Sequence, residues 1–116
     1  MKKMRMRFPN EKTFADGFAE YILDCKARNL RDGTINHYQE SIKQIYKRIP
    51  PKTPISSFDK QTMVDFYIAL RDDPNLNEVS MGTYARDLKT LMRFFMKCQY
   101  IPTFEMDCDE QLLLVG

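Results

Sequence analysis

A single histidine, His37, and three cysteines, Cys25, Cys98 and Cys108, are all the nitrogen and sulfur ligands this chain could offer a soft metal. They fall at no metal-ligand spacing, and an odd number of cysteines does not suit a disulfide framework. Neither a zinc site nor a cross-linked scaffold is expected, and a reducing compartment is implied. Long apolar runs are equally scarce. The basic residues at the start are followed by Pro9 and Asn10 rather than by an apolar stretch, so no signal peptide is expected, and Leu112 to Val115 is far too short to span a bilayer. No Gly-rich phosphate loop, HExxH, CxxC or GxSxG element occurs, and the acidic residues near the end lack the glycine and spacing of a calcium loop. These absences predict a soluble, cytoplasmic protein without a metal, cofactor, small-molecule ligand or membrane partner, and without an assembled catalytic site. His37 has no evident partner and reads as a polar surface residue.

What is present is an ordinary globular mixture. The 116 residues are 43% hydrophobic and 29% charged, enough for one domain with a real core. The formal charge of +2 conceals an uneven distribution. Lys2, Lys3, Arg5 and Arg7 cluster at the start, while Glu105, Asp107, Asp109 and Glu110 cluster near the end. With those four acids set aside, eighteen cations face twelve acids, a net +6 over Met1 to Phe104. That balance is compatible with a polyanionic partner. Residues 1–12 show no periodicity and are expected to form a flexible basic arm, 13–102 a helical domain, and 103–116 an acidic linker or tail.

Four helices are expected from the spacing of apolar residues. Thr13 can cap the first, with Asp16 in its first turn, and Phe14, Phe18, Tyr21, Ile22 and Cys25 mark its buried side as far as about Asn29. Gly17, within it, costs about 1 kcal/mol relative to alanine. The second helix is expected over Asp32 to Ile49, with Ile35, Tyr38, Ile42, Ile45 and Ile49 inward. Pro50, Pro51 and Pro54 then break it, and Ile55 and Phe58 should dip into the core. Asp59 caps a third helix with Met63, Phe66, Tyr67 and Leu70 inward, ending near Asp72. After a short loop at Leu76 to Val79, Ser80 should cap the fourth, which runs to Ile101 with Tyr84, Leu88, Leu91, Phe94, Phe95 and Cys98 inward. Tyrosines 21, 38, 67 and 84 all fall at core-facing positions.

The outer faces differ in charge. Acids Asp16, Glu20 and Asp24 give the first helix a negative cast, and the third nearly cancels. Arg31 to Ile49 carries four cations against two acids, with Asn36, Glu40, Lys43 and Lys47 in one stripe. Ser80 to Cys98 carries four against one, and Arg86, Lys89, Arg93 and Lys97 are expected to form a narrow ridge opposite the apolar side. The Gly-Thr-apolar triplets Gly33-Thr34-Ile35 and Gly82-Thr83-Tyr84 form a weak internal repeat, as in two pseudo-equivalent helix hairpins.

The order Thr34-Ile35-x-x-Tyr38, then Pro54-Ile55-Ser56-Ser57-Phe58-Asp59, then Ser80-Met81-Gly82-Thr83 with Leu88-x-x-Leu91-x-x-Phe94-Phe95 and a final Tyr100-Ile101 resembles the N-terminal core-binding domain of tyrosine recombinases and phage integrases. The resemblance covers about Thr13 to Ile101. It implies an all-α, four-helix SAM-like orthogonal bundle forming half of a clamp around recombination-site DNA, with the second and fourth helices approaching the duplex. Carried over by position, Arg31, Thr34, Asn36, Lys43 and Lys47 and then Ser80, Thr83, Arg86, Lys89 and Arg93 become DNA contacts. The cations would chiefly meet phosphate, and Asn36 or Arg86 could read a base edge; Thr34, Ser80 and Thr83 could equally be helix caps. Double-stranded DNA and other recombinase protomers are the implied partners. The family's catalytic domain has no counterpart after Ile101, so this stretch is expected not to catalyse strand exchange and to be a fragment or a truncated form. Arg31 stands where the family often has a small capping residue. The competing expectation is a helical protein-interaction module whose charged stripes only solubilise it.

Overall fold

Four helices form where the apolar spacing places them, and the caps set where each begins and ends. In the computed structural model, which describes residues 12–104, α1 spans Phe14–Ala27, α2 Asp32–Tyr46, α3 Lys60–Arg71 and α4 Glu78–Lys97, with a 3₁₀ turn at Ile55–Ser57. The fold is an all-α helical bundle, as expected, and no strand occurs among the described residues. The basic arm up to Glu11 and the acidic tail from Glu105 lie outside them.

Three of the four starts carry a side-chain cap. Thr13 and Asp16 form a reciprocal capping box on α1, and Asp59 and Thr62 do the same on α3. The remaining first-turn donors of α1 are met by the proline-rich connection: the N–H groups of Phe14 and Ala15 donate to the carbonyls of Thr53 and Pro51, at 2.8 and 3.0 Å. The segment that stops α2 therefore also seats α1. The start of α4 departs from expectation. Asn77 is its cap, accepting from the Ser80 N–H at 2.8 Å, so Ser80 sits inside the first turn and the loop expected at Leu76 to Val79 ends at Asn77. At α2 the cap position is Arg31, whose side chain makes no capping bond.

The ends are also shorter than the apolar pattern suggests. α1 stops at Ala27 and α4 at Lys97, and each unwinds through a left-handed residue, Asn29 at φ 61° and Gln99 at φ 65°. The N–H groups of Leu30 and Tyr100 then reach back to the carbonyls of Cys25 and Phe95. In α2 the regular helix ends at Tyr46. Pro50 disfavours helical backbone at Ile49, and bonds from Lys47 to Gln44 and from Arg48 to Ile45 tighten the last turn. The Gly-Thr-apolar triplets consequently hold different places: Gly33 is the second residue of α2 and Gly82 the fifth of α4, so the repeat is not a structural equivalence.

The core is built around α4, which packs against α1, α2 and α3, while α1 also packs against α2. Phe14, Phe58 and Phe95 meet edge-on or tilted, with ring centroids 5.0 to 6.2 Å apart. Ile55 and Phe58 are fully buried, as expected, and so are Met63, Phe66, Tyr67 and Leu70 of α3. Phe18, Tyr38, Tyr84, Phe94 and Cys98 are only half-buried. Lys12, expected in the flexible arm, donates to Glu20 and to the Tyr100 hydroxyl, at 3.1 Å for the latter, and so ties the entry to α1 to the exit from α4. Phe104, expected in the loose tail, packs against the core.

Candidate nucleic-acid interface

The width of the buried arc on α4 decides which of its cations can face outward. Because three helices surround it, Ala85, Asp87, Leu88, Lys89, Leu91, Met92 and Phe95 are all buried. Lys89 is only 4% exposed, so it does not belong to an outer ridge, which corrects the expectation for that residue. The ridge consists of Arg86, Arg93 and Lys97, at helical offsets of seven and four. The one acid counted with these cations over Ser80 to Cys98, Asp87, is 6% exposed and so is not on the outer surface. From Ser80 to Lys97 the exposed charged residues of α4 are therefore three cations and no anion.

On α2, Arg31, Thr34, Asn36, Lys43 and Lys47 are exposed, as expected. Lys43 is engaged by Glu40 at 3.0 Å, an exposed i, i+3 pair that reduces its reach for another anion. Arg48, counted among the helix's cations in the sequence, turns inward: Nη1 donates to the Gln44 carbonyl at 2.9 Å and Nη2 to Asp73 Oδ2 at 2.5 Å. It closes the end of α2 and pins it to the loop between α3 and α4. Ser80 and Thr83 are half-buried, and Thr34 and Thr83 are inside their helices rather than at caps.

Sequence reasoning missed the seam between α2 and α4. His37, 48% exposed on its side chain, places Nε2 2.8 Å from Oδ2 of Asp87, a close approach that is not aligned as a hydrogen bond. One turn along α2, Ser41 is buried, and its hydroxyl meets no hydrogen-bond partner among the described residues. Behind His37 the ring of Tyr38 lies edge-on at 5.5 Å, and Tyr21 of α1 packs on Tyr38 at 5.1 Å. Burial, then its bond with Tyr38, pushes the Tyr21 phenol well above its ordinary value. A signal for Asp87 was available in the spacing: it shares a helical face with Tyr84, Leu91 and Phe94, all assigned to the core side.

An open cleft between the end of α1 and the start of α2 is lined by Lys26, Asn29, Asp32, Asn36 and Gln39 over Leu30 and Ile35. It mixes amides with one cation and one acid, and Asn36 links it to the exposed face of α2. Among the described residues no three His, Cys, Asp or Glu side chains gather as a metal site, and no helix is long and apolar enough to cross a membrane. Neither a protein-family model, nor a curated protein, nor a solved structure matches this chain.

Proposed function

We propose that this chain is a DNA-binding module that meets the phosphate backbone of a duplex with α2 and α4, as the resemblance to tyrosine-recombinase core-binding domains implies. The observation that carries the reading is the sorting of charge on α4: its one mid-helix acid is buried while Arg86, Arg93 and Lys97 remain exposed, beside a packed α2 that exposes Arg31, Lys43 and Lys47. A merely solubilising surface needs no such separation, since mixed signs serve it equally well. Among the described residues the large exposed apolar side chains, Leu23, Ile68 and Val79, fall singly on α1, α3 and α4, which does not favour the protein-interaction alternative. Recombination-site recognition, association with other protomers on DNA and the absence of catalysis by this chain alone belong to the same proposal.

The size of the face bounds its strength. Three phosphate contacts from α4 alone give a log–log salt slope of about −3, and six from both helices about −5. Binding should fall near the non-specific range of about 10⁻⁴ to 10⁻⁶ M at physiological salt. Titrating a labelled duplex at several salt concentrations tests this. Reversing Arg86 or Lys97 should weaken binding to every sequence and reduce the slope by about 1. No binding at low salt, or a slope unchanged by these substitutions, refutes the reading.

A further inference from the structure

From the α2–α4 seam we infer that His37 is a protonation-coupled phosphate contact, so that the duplex binds more tightly as pH falls through neutrality. This rests on the DNA-binding reading and adds to it a residue that neither the charge stripes nor the resemblance selected. Three features of the seam carry it. The first is position: His37 stands on the side of α2 that meets α4, with its ring nitrogen 2.8 Å from an α4 side chain. The second is the partner. Asp87 is buried, its Oδ2 lies 2.8 Å from Nε2, and no aligned hydrogen bond satisfies that oxygen. A buried carboxylate oxygen without such a bond is costly, and a donor brought to it offsets that cost. The third is access: with Nε2 turned to Asp87 and nearly half the side chain in solvent, Nδ1 is left for an external acceptor.

The charged and titratable groups on the elements packed around His37 carry both signs, and the one in contact with its ring nitrogen is the anionic Asp87. From α4 come Asp87 and, next to it in sequence, exposed Arg86; from α2 come Tyr38 and Glu40, the latter engaged by Lys43; from α1 comes Tyr21, which packs against Tyr38. A phosphate oxygen at Nδ1 would place the ring between two anions. The imidazole takes one proton from solvent and donates Nδ1–H to the phosphate, while Nε2 stays 2.8 Å from the Asp87 carboxylate. Because imidazole is the side chain that changes charge near neutrality, binding should then consume up to one proton.

The experiment is a duplex titration by fluorescence anisotropy at fixed ionic strength, from pH 8 to pH 6, with wild type, His37→Asn and Asp87→Asn. Circular dichroism checks the fold of each variant. Wild type should bind about three- to tenfold more tightly at pH 6 than at pH 8, bounded by tenfold per pH unit for one proton. His37→Asn should still bind but lose that difference, and Asp87→Asn should reduce it. His37 is the chain's only histidine, so its ring protons give an unambiguous nuclear magnetic resonance titration, whose midpoint should rise when the duplex is added. Equal wild-type binding at both pH values, an unchanged pH dependence in His37→Asn, or an unmoved midpoint overturns the role of His37 and leaves the DNA-binding reading standing. No wild-type binding at low salt and pH 6 overturns both.

Discussion

Gly17 and Gly82 are both inside helices, yet alanine should act on them with opposite signs. Removing a glycine from a helix gains about 1 kcal/mol of propensity at either place. At Gly17 a Cβ would stand 2.5 Å from Ile55 Cδ1 and 2.7 and 2.9 Å from two ring carbons of Phe95, against about 3.5 to 4.0 Å for normal carbon contact. The neighbours must retreat by about 1 Å, and neither has room. Ile55 is 1% exposed, and the Phe95 ring is held by Phe14, Phe58, Phe94 and Tyr100 at centroid distances of 6.1 to 6.4 Å. Overpacking of this kind costs about 1–3 kcal/mol and outweighs the propensity gain. Gly17→Ala should therefore destabilise the domain by about 1–2 kcal/mol, lowering Tm by about 5–15 °C. At Gly82 a Cβ meets nothing within 4 Å, so Gly82→Ala should stabilise by about 0.5–1 kcal/mol. Thermal and urea unfolding followed by circular dichroism read both. Shifts of the same sign would show that the close crossing of α1 over α4 does not govern Gly17, and the account of the core would fail with it.

Arg48→Ala should lose about 1.5–3 kcal/mol in urea unfolding, because it strips a charged hydrogen bond from Asp73 and the cap from the Gln44 carbonyl at a mostly buried site. Glu20 should contribute to acid sensitivity. Burial works to raise its carboxyl, but the bonds from Lys12 and Tyr100 and the Lys12 charge outweigh it, leaving the carboxyl below its ordinary value. Its stability is therefore present above the unfolded carboxylate range of about pH 4.3 and lost as pH falls through the lower folded value, so Glu20→Gln should be less stable than wild type at pH 7 and converge with it in acid. Lys89→Glu should unfold or severely destabilise the domain, by about 3 kcal/mol or more, whereas Arg86→Glu on the exposed strip should change stability by less than about 1 kcal/mol; equal effects would contradict the burial of Lys89.

The helices were legible in the sequence because isoleucine in α2 and the aromatic residues in α1 and α3 repeat at helical spacing, and because Thr13 and Asp59 are strong caps. The proline cluster correctly marked a connection whose Ile55 and Phe58 enter the core. The start of α4 was misread since Ser80 and Asn77 are both good caps three residues apart, and only the geometry of the preceding loop chooses between them. The site was less legible for one physical reason. An apolar stripe judged from large side chains underestimates a helix enclosed by three neighbours, where Ala85 and Met92 also pack inward and carry Lys89 with them. His37 and Asp87 are fifty residues apart in sequence, and nothing local to either announces the other.

The enclosure of α4 also separates the roles of the two helices in the proposed interface. A helix buried along seven positions against three neighbours cannot shift without disturbing its packing on α1, α2 and α3, so Arg86, Arg93 and Lys97 are presented on a well-anchored support. α2 packs chiefly on α1 and α4, and part of its contact with α4 is polar, through His37 and Asp87, with Ser41 buried one turn along. Polar contacts with incomplete hydrogen bonding are the part of an interface that charge or protonation can most readily alter. In the proposed reading, α4 then supplies preorganised affinity, while the seam sets how firmly Arg31, Lys43 and Lys47 are held beside it. The imidazole at that seam meets an α4 side chain and lies half in solvent, so in the proposed reading a change in its charge acts on the α2–α4 contact as well as on the phosphate it would meet.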